Sequence, residues 1–349
     1  MDEPMVDEDE QPPLDQVRRI ARAVLYEGYL LWPYRQSALK NRHRWTIGGV
    51  HPEPYGREHD GHPWLMRTQC LVEAGAGASV DVRVRYLHVV AREPALVRDG
   101  VAEPVPELVA GGLRVLPREE AVEQEAAACG LALEDLARRP FRAAIEVPAG
   151  QDAEPLPDTG PVAEGRPVGT VIRHWEALRG HVEVSAEELE PGLHRLTADV
   201  VNTTPWPGGT RTDLMRRTLV SAHTVLHARD GRFVSLMDPP EELRDHAEGC
   251  RSLGVWPVLV GEEGERHTML SAPIILYDHP RISPESPGDL FDATEIDQLL
   301  TLSVLALSEE EKREIREGDP RGREILERCD GLTSEQLMRL HGVLRTDPT

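Results

Sequence analysis

Apolar and polar residues alternate most clearly where Val80, Val82, Val84 and Tyr86 are interleaved with Asp81, Arg83 and Arg85. A period of two over this length predicts an antiparallel strand buried on one face. A second apolar run, 65–72, precedes it, and the intervening AGAGAS reads as a hairpin turn. Residues 141–147 predict another strand. After residue 167 the alternation returns at 168–175, 181–185 and 193–201, with a Pro-Gly turn opening the last of these. Runs at 218–228 and 232–236 flank Asp230-Gly231, a strong hairpin signal. The first of these runs also fits a helix starting at Asp213. Residues 255–260 and 269–277 predict a further hairpin around GEEGER.

Helical spacing appears elsewhere. Leu14, Val17, Ile20, Ala21, Val24 and Leu25 recur on one face, with Pro13 at the start and Gly28 at the end. The Glu- and Ala-rich residues 117–139 predict a helix, and 241–250 a short one. Near the C-terminus, residues 294–305 fit a helix. Ser308 with Glu311 and Thr333 with Gln336 form capping-box patterns, and Asp319-Pro320 marks another start, so three or four short helices close the chain.

These elements predict a β-rich α+β fold: an antiparallel β-sandwich-like core with an N-terminal helix and a C-terminal group of short helices. Residues 1–13, six of them acidic, read as a disordered tail. Residues 14–147 and 168–280 read as two β-rich halves. The stretch 148–167, with its Pro and Gly, reads as a linker or long loop, and 281–349 as a helical segment.

Composition narrows the function classes. The 349-residue chain carries a formal net charge of −22, which argues against a general affinity for nucleic acid or anionic lipid. No apolar run reaches the roughly 20 residues a spanning helix needs. The acidic N-terminus, MDEPMVDEDE, lacks the features of a signal peptide, so a cytoplasmic location is expected. Cys70, Cys129, Cys250 and Cys329 show no short metal-binding spacing and read as reduced thiols.

Against this acidity, the stretch YEGYLLWPYRQSALKNRHRWTIGGV (26–50) stands out. No Asp or Glu occurs between Glu27 and Glu53, and five of the protein's aromatic residues fall there. Such an arm is either paired with the protein's own carboxylates or kept for a protein partner. In the second case Tyr29, Trp32, Tyr34, Arg35, Lys40, Arg42, Arg44 and Trp45 are the binding residues.

The GxSxG, GxxxxGK[ST], HExxH and GxGxxG motifs are all absent, which removes the commonest catalytic frameworks. No cofactor is therefore expected. The best local metal candidate is His51, His59 and His62 beside Asp60, a donor set suited to zinc or nickel, and hence to a metal-dependent hydrolase. A solvated His-rich loop is the competing reading. His223 with His227 and His246 with Cys250 share spacings that also suit buried, hydrogen-bonded side chains. Asp289, Asp292 and Glu295 precede a helix and are explained by capping. Ser221 beside His223, or Ser235 beside Asp238, has nothing in the sequence to orient it as a nucleophile.

The phrases YEGYLLWPYRQSALKNRHRW, FVSLMDPPEELR and IILYDHPRISPESPGDLFDATEIDQLLTL resemble an uncharacterised bacterial family associated with actinobacterial-type [NiFe]-hydrogenase gene clusters. The resemblance spans about residues 14–345. It implies an accessory or assembly role with a protein partner, which would be a hydrogenase subunit. The chain lacks the nucleotide loop, nickel-binding His tract and paired cysteines of known hydrogenase factors, which favours a binder over a metal-inserting protein.

Overall fold

The structure, a computed structural model, describes residues 20–21, 25, 48–98, 100–110, 113–157 and 167–280. The expected tail, most of the N-terminal helix, residues 26–47 of the arm and the C-terminal helices lie outside them. Within the described residues the chain is mostly antiparallel β-sheet with few short helices, a β-rich α+β fold.

The main sheet is built on β1, Leu65–Arg98. One edge of β1 pairs with β10 (Leu193–Asn202) and then with β5 (Arg118–Ala132). The other edge pairs with β11 (Val220–Phe233) and then with β8 (Pro167–Trp175). The end of β1 also pairs with β2 (Val101–Pro104). Outward from these, β9 (Leu178–Glu190) joins β10, and β6 (Phe141–Val147) joins β9. β13 (Thr268–Ala272) joins β11, and β12 (Trp256–Leu259) joins β13. A small separate sheet holds β3 (Leu108–Ala110) and β4 (Leu113–Val115). The two expected halves are therefore hydrogen-bonded into one sheet, because β1 takes partners from both.

Val80, Val82, Val84 and Tyr86 are buried as their alternation predicts. They join Leu196, Val200, Leu226, Phe233 and Met269 in the main core. Ile20, Ala21 and Leu25 are helical and buried; Leu25 packs with Leu87, Val89 and Val220 on the opposite face of β1 and β11. Apolar side chains buried on both faces make the centre of this sheet its most stabilised part, at about 1.5–3 kcal/mol per large side chain.

Three expected elements differ. AGAGAS does not turn the chain: β1 runs through it, and the register jumps from Ala74↔Gly231 to Ser79↔Arg229. Asp230-Gly231 lies directly opposite, inside β11, with Asp230 at φ 56. Two turn-like signals face each other and form one bulge that bends the strand pair. Second, residues 118–132 are strand rather than helix. β5 lies along β1 for its whole length, and Arg83 and Arg85 bond Glu125 and Glu123 across the strands at 2.9 and 3.0 Å. Cross-strand pairing of this kind outweighs intrinsic helix propensity; the helix is confined to Leu133–Arg138. Third, the supposed linker opens with a strand, β7 (Gly150–Pro157), paired with β8.

Candidate functional site

The His-rich loop is ordered around one ring. His51 is fixed at its start, where its N–H donates to Pro63 O at 2.8 Å. Pro52 then leads into a one-turn helix, Glu53–Gly56, braced by Arg57 on Glu53. That turn places Tyr55 among three imidazoles. His59 stacks on it at 4.0 Å between centroids, His62 meets it edge-on at 5.3 Å, and His51 tilts against it at 6.2 Å. Trp206 closes the other side, edge-on at 5.6 Å. Arg57 lies 4.4 Å over the Trp64 ring, a favourable cation–π contact. At Gly56 a Cβ would sit 2.6 Å from His62 O, so the close return of the loop requires glycine. A shallow groove of about 270 Å³ opens between the 60–65 turn and Leu253.

Anchorage comes from Asn202, fully buried at the end of β10. Its side-chain amide donates to Val50 O and Arg217 O, both at 2.8 Å, and its Oδ1 accepts from Thr204 N. Its backbone N–H donates to Trp64 O. One residue thus ties together, through its side chain, the strand entering the loop and the 211–217 turn, and through its backbone N–H the chain leaving the loop.

Tyr29, Trp32, Tyr34, Arg35, Lys40, Arg42, Arg44 and Trp45 lie outside the described residues. Both ends of their segment are seen, however. Leu25 is buried on the sheet, and at the other end Gly48 O accepts from Ala222 N while Val50 pairs with Leu219. The arm therefore leads directly into His51 and the Tyr55 cluster.

His51, His59 and His62 come together, with His51 and His62 4.9 Å apart and His59 and His62 6.4 Å apart. The Tyr55 ring sits among them, and each Nδ1 faces a nearby backbone carbonyl. Among the described residues no group of three or more His, Cys, Asp or Glu side chains is arranged to hold a metal ion. Burial pushes His51 down to about 4, so it is neutral near pH 7.

The other candidates have structural partners. His223 and His227 share a strand face. His223 is fully buried, holds Ser221 O through Nδ1, and is pushed by burial to about 4. His227 faces Thr268 Oγ1, and burial lowers its pKa too. His246 meets Glu190 at 2.9 Å, and the Cys250 thiol donates to His246 O. Ser235 Oγ bonds the Asp278 carboxylate rather than that of Asp238, whose backbone N–H donates to Ser235. Cys70 is buried, Cys129 exposed and Cys250 half-buried, none in a disulfide; burial pushes the Cys70 thiol well up. Cys329, Asp289, Asp292 and Glu295 lie outside the described residues.

Tyr55, Trp64, Trp206 and Leu253 were not among the sequence candidates. The available signal was aromatic residues set beside prolines, as in Pro54-Tyr55, Pro63-Trp64 and Pro205-Trp206-Pro207. No helix among the described residues is long and apolar enough to cross a membrane. No known protein-family model matches the chain, and no curated protein matches it in sequence.

Proposed function

We propose that this is a non-catalytic, cytoplasmic accessory protein that binds a protein partner through the 26–47 arm and the adjoining Tyr55 cluster. The observation that carries this reading is that Gly48–Val50, which follow the cationic, aromatic arm in sequence, join the sheet immediately before a half-exposed group of Tyr55, His62, Trp64 and Trp206. Tyr, Trp and Arg dominate the energetics of protein interfaces. The groove beside the cluster adds Leu253, which is 49% exposed. Trp256, three residues on, is 47% exposed. The resemblance to the [NiFe]-hydrogenase-associated family supplies the class of partner, a subunit of a multisubunit enzyme that this protein helps to assemble. The His59 and His62 rings pack on Tyr55 and each turns Nδ1 to a backbone carbonyl, contacts that give both histidines a structural role and support the non-catalytic part of the reading.

Two double variants test it by co-expression with hydrogenase subunits and affinity purification. Arg42→Glu with Arg44→Glu, and Tyr55→Ala with Trp206→Ala, should each weaken partner recovery at least about 30-fold, the loss expected from interface anchors worth about 2 kcal/mol. The arm variant should leave the thermal midpoint nearly unchanged. Undiminished recovery in both variants, or collapse of the fold in the arginine variant, refutes the proposal.

A further inference from the structure

The groove beside the Tyr55 cluster has a pattern of donors and charge that narrows what can fill it. Its walls are His62, Pro63 and Trp64 against Leu253, with Asp60 in the lining. The main chain of these walls is already committed. His51 N–H donates to Pro63 O and Asn202 N–H to Trp64 O, while Leu253 exchanges both of its backbone bonds with Arg67. A partner strand therefore has no free backbone ladder to join here. A helix, about 10–12 Å across with its side chains, has no room to lie in a groove of about 270 Å³.

Rings and side-chain donors remain. Tyr55, Trp64 and Trp206 are all half-buried. Among the described residues neither the Trp64 nor the Trp206 indole N–H donates a hydrogen bond, whereas the Trp175 indole donates to Pro148 O at 3.0 Å. The Tyr55 hydroxyl has no hydrogen-bond partner among them either. His62 and Trp206 both meet Tyr55 edge-on, at 5.3 and 5.6 Å, so the cluster is a set of ridges rather than one flat platform. Glu58 and Asp60 are exposed, and neither forms an ion pair with a described residue. The neighbouring Arg57 is held by Glu53 at 2.6 Å.

From this combination we infer that the groove takes a proline-rich segment of the protein partner, extended as a polyproline II helix and carrying a basic residue beside Asp60. The inference rests on the partner-binding reading above and names the chemistry of that partner. Proline has no N–H, and a polyproline II helix makes no internal hydrogen bonds, so such a segment presents carbonyls that need donors. Indole N–H groups can only donate, which matches that need. Proline rings fit between aromatic ridges, and the preformed helix loses little entropy on docking. The basic residue answers the two unmatched carboxylates in a chain of net charge −22.

The test is titration of the full-length protein, followed by calorimetry and indole fluorescence, with a synthetic proline-rich peptide of about ten residues carrying one arginine. Two controls replace every proline by alanine, or the arginine by glutamate. Saturable binding of the proline peptide is expected, with the alanine control at least about tenfold weaker. Trp64→Ala should weaken binding about 30-fold, and Asp60→Asn should remove the preference for arginine over glutamate. Should Trp64→Ala fail to fold, Leu253→Ala, at a position 49% exposed, replaces it and should weaken binding about fivefold. No saturable binding of the proline peptide, equal binding of its alanine counterpart, or unchanged affinity in the folded variant overturns the inference. If the peptide fails to bind while partner recovery still depends on Tyr55 and Trp206, this inference alone is wrong. Partner recovery that survives both double variants refutes the partner-binding reading beneath it.

Discussion

Asn202 offers the sharpest test of how the site is held. Its amide donates to two buried carbonyls, Val50 O and Arg217 O, and its Oδ1 accepts from Thr204 N. Asn202→Asp keeps the size and the acceptor but turns an oxygen towards both carbonyls. When protonated, the new carboxyl can donate to one carbonyl and leaves the other unsatisfied, a cost of about 1–3 kcal/mol. When ionised, it is a fully buried charge facing two carbonyl oxygens, so its folded pKa rises above the unfolded value of about 3.9. A raised folded pKa means the fold prefers the protonated form, so stability relative to wild type is lost as pH rises. The deficit should grow by up to about 1.4 kcal/mol per pH unit until the raised pKa is passed. Near pH 7 it should reach about 4–7 kcal/mol, against a typical total stability of about 5–15. Asn202→Ala removes the same bonds without introducing a titrating group, and its cost of about 2–5 kcal/mol should be flat with pH. Urea unfolding followed by circular dichroism at pH 5 and pH 7 separates the two variants. An Asn202→Asp deficit below 1 kcal/mol, or one with no pH dependence, refutes the anchoring role.

Acid should destabilise the wild type through its buried histidines. Burial depresses His51, His88 and His223 to about 4, so each contributes stability that is present above about pH 6.5 and is lost as pH falls from there towards 4. Between pH 7 and 5 each should cost about 2 kcal/mol, and His223→Gln should reduce the steepness of the pH dependence by about one proton; an unchanged dependence contradicts this. The unity of the sheet can be tested by placing a protease site within residues 158–166. After cleavage the two fragments should co-elute and separate only in denaturant, because β1 pairs with β8, β10 and β11 across the cut. Fragments that part under native conditions and unfold independently would mean two domains.

What could be read from the sequence was whatever depends on a residue's immediate neighbours. Residues 141–147 are a strand as their alternation indicates, and the hairpin around GEEGER is present as β12 and β13. The failures share a different cause. β5 carries Glu and Ala in helix-favouring proportion, but its partners Arg83 and Arg85 lie about 40 residues away, and local propensity does not register them. AGAGAS and Asp230-Gly231 each supply the backbone freedom of a turn, and only their pairing across a register jump makes them a bulge. At the site, the loop histidines were visible as a cluster, but Tyr55 as its centre was not, because Trp206 joins it from about 150 residues along the chain.

Charge makes the same point about neighbours. Read along the chain, cationic residues concentrate in the 26–50 arm, and local density is what singles them out for a partner. Density is an incomplete criterion, since an arginine matched by its own carboxylate has little attraction left to offer. Arg83 and Arg85 lie only two residues apart, yet Glu125 and Glu123 answer them across the strand. Arg92, Arg118 and Arg173 are scattered over some 80 residues and form no visible cluster in the sequence. The register of β5, β1 and β8 sets them side by side around Glu120, and Arg173 also reaches Glu154. This gathering of guanidiniums around one carboxylate is therefore created by strand order, and it falls where no local run of basic residues would mark it.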